Sequence, residues 1–96
     1  MKELKFDGDF TLDEVFDQNR LMFYSALLDA IEMAALHAEI NTVDVMKFVI
    51  NGDSYTVNLN RSKFQGALYK ALQLFESEEA YEQCVRCVAL LGLAIV

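Results

Sequence analysis

Along the chain the spacing of apolar side chains switches from a period of two to the helical period and back. Lys2-Glu3-Leu4-Lys5-Phe6 alternates polar and apolar and reads as a short edge strand, stopped by the turn-forming Asp7-Gly8-Asp9. Thr11-Leu12-Asp13-Glu14 then fits a capping box, in which the threonine hydroxyl accepts from the third helical amide and Glu14 reaches back to the cap. Phe10 and Val15 stand at the staple positions around that cap, and Asp13 and Glu14 sit where the helix dipole favours negative charge. Without glycine or proline from Leu12 to Glu39, a helix over that span can run about seven turns, about 40 Å in length. Its polar stripe of Gln18, Ser25, Asp29, Glu32 and Glu39 is narrow. Apolar residues such as Phe23, Leu27, Leu28, Ile31 and Met33 fill most of the remaining circumference, which predicts packing on more than one side.

Val43 to Ile50 and Tyr55 to Leu59 are strand-like and flank Asn51-Gly52-Asp53-Ser54, so they read as a hairpin. A Gly52-Asp53 turn pairs Ile50 with Tyr55, Phe48 with Val57, Met46 with Leu59 and Asp44 with Arg61; an Asn51-Gly52 turn shifts the partners by two residues and keeps the same faces inward. In either register Lys47, Thr56, Asn58 and Asn60 look outward, and Val43, Val45 and Val49 are apolar anomalies on that side. Ser62-Lys63-Phe64-Gln65 repeats the capping pattern before a stripe of Phe64, Ala67, Leu68, Ala71, Leu72 and Phe75 at helical spacing. Ser77 is a candidate cap for a last helix, with Glu78 and Glu79 in its first turn and Tyr81, Cys84, Val85 and Val88 directed inward. Residues 1–96 thus read as one α+β domain. A long N-terminal helix and two C-terminal helices pack on a β-hairpin, with the N-terminal segment as candidate third edge strand, in the order (β)-α-β-β-α-α.

Apolar residues make up 54% of the 96-residue chain, above the ~45–50% usual for soluble domains. A body this small has much surface for its volume, so the surplus predicts that part of the exterior is covered by another copy. The uncharged run from Cys87 to Val96 points the same way. Candidate oligomer-interface residues are therefore Val43, Val45, Val49, Leu90, Leu93 and Ile95. Fifteen acidic against eight basic side chains leave a net charge of −7, which repels nucleic-acid phosphates and anionic membrane surfaces. With no signal-peptide pattern, no stretch long enough to span a bilayer and only two cysteines, a cytoplasmic location is expected.

Chemistry is sparse. Cys84-Val85-Arg86-Cys87 has the spacing of a metal or redox pair, yet zinc needs about four ligands and His37 is the chain's one histidine. Two thiols three apart within a helix also fit disulfide geometry poorly, so Cys84 and Cys87 read as small core hydrophobes. His37, near the end of the long helix, suits a capping or surface role. No serine lies in a glycine elbow, no phosphate loop occurs, and Asp7-Gly8-Asp9 lacks the later glycine of a calcium loop, its place being taken by Leu12. No catalytic, cofactor-binding or metal residue is assigned and no cofactor is expected.

Acidic residues gather in two places, Asp7, Asp9, Asp13, Glu14 and Asp17 in one and Glu76, Glu78, Glu79 and Glu82 in the other. Each group lies at an expected helix start, where it complements the dipole and aids solubility; it is also a candidate surface for a protein partner with a basic groove. In size and composition the chain resembles the small accessory proteins encoded by phages and mobile elements, a likeness that assigns no residue a role. The expected function is a non-enzymatic protein-binding module, an inhibitor or adaptor acting as a homo-oligomer through an acidic or apolar surface. A small-ligand-sequestering oligomer and a structural assembly component are the alternatives, and an enzyme is the least favoured class.

Overall fold

The computed structural model describes residues 2–93 and has the element order β-α-α-β-β-α-α. β1 (Lys2–Phe6), β2 (Thr42–Ile50) and β3 (Asp53–Asn60) form a three-stranded sheet in that order, β1 parallel and β3 antiparallel to the central β2. The N-terminal segment is therefore a true edge strand. Its parallel pairing requires the long crossover that the first helices supply. Asn51 and Gly52 form the hairpin turn at φ 50° and 86°, both in the left-handed region that a two-residue turn of this hand needs. The Asn51 side chain also donates to the Gly8 carbonyl (2.7 Å) and accepts from the Gly8 amide (2.9 Å), locking the exit of β1 to the hairpin tip.

Choosing the Asn51-Gly52 turn sets Phe48 opposite Tyr55 and Met46 opposite Val57. Beyond Met46 the register slips by one at a β-bulge that leaves Val45 without an opposite residue, so Asp44 meets Asn58, where this turn without a bulge would set it opposite Leu59. The bulge also corrects the expected facing of two valines: Val43 and Val45 are buried in the chain's own core together with Met46, Phe48 and Ile50. A strict two-residue alternation had placed them outside, and one extra residue reverses that parity. Val49 stays on the outer face, half-buried between Lys5 and Ser54. Around it Glu3, Lys5, Ser54 and Thr56 are exposed, and the helices cover the opposite face.

The expected single long helix is two. α1 (Leu12–Gln18) starts at Thr11, whose hydroxyl oxygen accepts from the Glu14 amide at 3.2 Å; Glu14 accepts in return from that hydroxyl rather than from the cap amide. Phe10 lies against Phe6, ring centres 5.8 Å apart. The break comes at Asn19, whose side-chain amide donates to the Val15 carbonyl (2.8 Å) while its backbone leaves the helical region at φ −125°, ψ 28°. α2 (Arg20–Ala35) follows and stops short of Glu39. Its end is held by Arg61, which donates to the carbonyls of Ala34 (2.9 Å), His37 (3.1 Å) and Ile40 (2.8 Å). The Ala34 and His37 carbonyls already accept from the amides of His37 (3.2 Å) and Ile40 (3.1 Å), so the guanidinium adds charge-assisted bonds to a local turn and ties Ile40, beyond the helix, to the same point.

A 3₁₀ turn, Arg61–Lys63, leads into α3 (Phe64–Ser77); it is capped by Asn60, and not by Ser62 as the sequence pattern suggested. Ser77 likewise caps nothing: α3 runs through it, and α4 (Tyr81–Gly92) begins after Ala80. Between the two, Glu79 adopts φ 56°, with Ala80 N–H on the Phe75 carbonyl (2.8 Å) and Glu79 N–H on Glu76 (3.1 Å). That is the left-handed helix stop usually made by glycine. The buried side chains form one contiguous cluster centred on Leu27, Leu28, Ile31, Phe48, Phe64, Leu68 and Phe75. The molecule is a slab of 42 × 33 × 16 Å, and its radius of gyration of 13.8 Å exceeds the ~12.5 Å of a rounder domain of this length.

Two stability changes follow. Arg61→Ala should destabilise by about 2 kcal/mol, because charge-assisted bonds to three carbonyls are lost, and Arg61→Lys should recover only part, as measured by urea unfolding. Glu79→Gly should stabilise by about 1 kcal/mol, a rise of ~4–8 °C in the thermal midpoint, by removing a Cβ from a left-handed position and an anion from a helix C-terminus.

Candidate functional site

α4 is turned by its single cation. Arg86 donates from Nε to Glu32 Oε1 (2.8 Å) and from Nη2 to Asp29 Oδ1 (2.8 Å), both carboxylates on α2, and from Nη1 to Gln83 Oε1 (2.9 Å). Hydrogen bonding to Glu32 raises the guanidinium pKa above its ordinary value, against the opposing effect of burial, so Arg86 stays charged throughout the working pH range. With that fork toward α2, Cys87 and Leu90 enter the core. The opposite side of the helix carries Tyr81, Val85 and Val88 at i, i+4 and i+7, exposed by 67%, 68% and 59%, followed by exposed Gly92 one turn on. The sequence pattern had directed Tyr81, Val85 and Val88 inward. The ion pair overrides it, because a cation facing the two acids of α2 leaves the valines outside.

The candidate interface residues therefore separate. Val43, Val45 and Leu90 are buried within the chain and cannot meet a second copy, whereas Leu93 is 60% exposed beside the α4 row and Val49 is half-buried on the sheet's outer face. Ile95 lies outside the described residues.

Asp7, Asp9, Asp13, Glu14 and Asp17 are all exposed, as are Glu76, Glu78, Glu79 and Glu82. The two groups approach each other where Asp17 and Glu78 line one shallow hollow of about 430 Å³, beside Arg20, which Asp17 engages at 3.1 Å. His37 is exposed in the loop after α2, with Nδ1 at 3.6 Å from Glu39 and its carbonyl held by Arg61. Cys84 is half-buried about one turn into α4, and Cys87 is buried with its thiol pushed up to about 11, chiefly by desolvation. Among the described residues no three His, Cys, Asp or Glu side chains converge as a metal site would need. No described helix is long and apolar enough to cross a membrane.

Two features escaped the sequence pattern: the Arg86 fork, and an apolar hollow between α2 and α3 flanked by Lys63 and Lys70. Arg86 did carry a signal, as the one cation in a segment otherwise rich in apolar residues. The lysines carried none until α2 was laid beside α3. Comparison of the chain with protein-family models, with curated proteins and with solved structures finds no match.

The cysteine environment predicts reactivity. Iodoacetamide at pH 8 should modify Cys84 well before Cys87 in the folded protein, and both at similar rates in urea, as read by mass spectrometry. Because burial raises the folded-state pKa of Cys87, its contribution to stability is complete below the ordinary thiol value of 9.0 and declines as pH rises toward about 11. The stability difference between the wild type and Cys87→Ala should accordingly narrow over that interval.

Proposed function

We propose that the chain is a non-enzymatic protein-binding module, an inhibitor or adaptor, that works as a homo-oligomer with α4 of one copy packed on α4 of another. The observation that carries this reading is the outward row Tyr81, Val85, Val88 and Gly92, an uncharged strip about 17 Å long on a chain of net charge −7. Two such chains repel one another over most of their surfaces and approach most readily where neither carries charge. An isologous two-fold pairing suits the strip. Antiparallel packing sets the Glu78, Glu79 and Glu82 end of one helix against the apolar Leu93 end of the other, whereas parallel packing would bring like charges together.

One helix face supplies roughly half of the ~800 Å² that each partner contributes to a standard interface, which places the contact among the small ones. The acidic side chains of α1 and of the loop before it stay open in such a pair. They form the surface available to a partner with a basic groove, and attraction of that kind weakens as salt is raised.

Sedimentation over roughly 1–100 µM should show a monomer–dimer equilibrium in the wild type. The double change Val85→Asp and Val88→Asp should give a monomer whose thermal unfolding matches the wild type to within ~0.5 kcal/mol at concentrations where both are monomeric, because both side chains are solvent-facing in the single chain, and the wild type alone should gain stability as concentration rises. A wild type that stays monomeric across that range would overturn the reading.

A further inference from the structure

Between α2, α3 and the end of β3 lies a hollow of about 330 Å³. Its lining is apolar on α2 (Phe23, Tyr24, Leu27) and at Leu59 and Ala67, and Lys63 and Lys70 stand exposed beside it. Two observations describe its rim. Neither Lys63 nor Lys70 is ion-paired among the described residues, although the chain carries fifteen acidic side chains against eight basic ones. The third exposed residue of the lining is Gly66, in the first turn of α3, where a Cβ would meet nothing within 4 Å. Glycine weakens a helix relative to alanine, and neither a positive φ nor a close neighbour in this chain calls for it here.

We infer that this hollow is a binding site for a small carboxylate with an apolar body, its chain or ring lying on Phe23, Leu27 and Leu59 and its carboxylate between Lys63 and Lys70. Taking ~30 Å³ per water-sized group, the space holds about eleven heavy atoms, the size of a medium-chain carboxylate. Two ammonium groups favour the anion over a neutral or cationic analogue of equal length, and the absence of a side chain at Gly66 leaves the entrance open. None of the lining residues belongs to α4, so the site is separate from the surface proposed for self-association.

Calorimetry and amide NMR with octanoate, octanol and octylamine test this on the full chain. Octanoate should bind saturably at one per chain, shifting the signals of Phe23, Tyr24, Leu59 and Ala67, and more strongly than octanol, with octylamine weakest. Lys63→Gln with Lys70→Gln should weaken octanoate by about tenfold or more and leave octanol unchanged. Gly66→Leu should remove octanoate binding while keeping or raising the thermal midpoint, since leucine is the better helix former. Equal binding of octanoate and octylamine, no saturation by octanoate up to millimolar concentration, or unchanged binding in Gly66→Leu would each overturn the inference. Because none of these changes touches α4, sedimentation of the same variants distinguishes failure of this site from failure of self-association.

Discussion

One guanidinium joins the two halves of the chain. Arg61 lies at the junction of the hairpin and α3, and its three bonds reach back to carbonyls of Ala34, His37 and Ile40, which close α2 and lead into β2. Its backbone amide adds a bond to the Asn41 carbonyl, and its charge stands 5.4 Å from the Phe64 ring that opens α3. No glycine or proline ends α2; tight local bonds from the amides of Leu36 and His37 close it, and the long-range Arg61 holds that turn against the hairpin. A permanent cation at that place also offsets the negative end of the α2 dipole. The position of α2 over β2, and of α3 beside α2, passes through this contact.

What local rules govern was legible in advance. The α+β class, the hairpin, the edge strand and the Thr11 cap all follow from periodicity and turn chemistry within a few residues. Features decided by one unusual residue or by distant pairing were not. Asn19 breaks a helix that apolar spacing alone would continue, because its amide competes for the Val15 carbonyl. The bulge at Val45 inverts the parity of the first half of β2, and no residue there marks it as glycine or proline would. Both cases concern facing: a reader who knows that β2 is a strand still assigns Val43 and Val45 to the wrong side.

The same distinction applies to the surfaces. The acidic groups could be located from composition, since charged residues at helix ends stay in water whatever the packing. The outward row of α4 could not. Its valines have the spacing of a core stripe, and only the fork of Arg86 on Asp29 and Glu32 decides which side of the helix is covered. A half-buried pair of this kind contributes on the order of 1 kcal/mol to stability, yet it selects between two rotations of an amphipathic helix that differ in which apolar side chains meet water. Small energies can determine orientation where the hydrophobic term is similar either way.

The four glycines fall into two pairs. Gly8 and Gly52 have φ of 128° and 86°, and the backbone there calls for residues without a Cβ. Gly66 and Gly92 lie in helices at negative φ, and a Cβ on either would enter open space. Alanine at Gly66 would strengthen α3, and at neither position would its Cβ meet another described residue. One borders the lysine-flanked hollow and the other ends the outward row of α4. The proposed carboxylate site and the proposed pairing of α4 would each use that open backbone, the first at its entrance and the second at the end of its contact row.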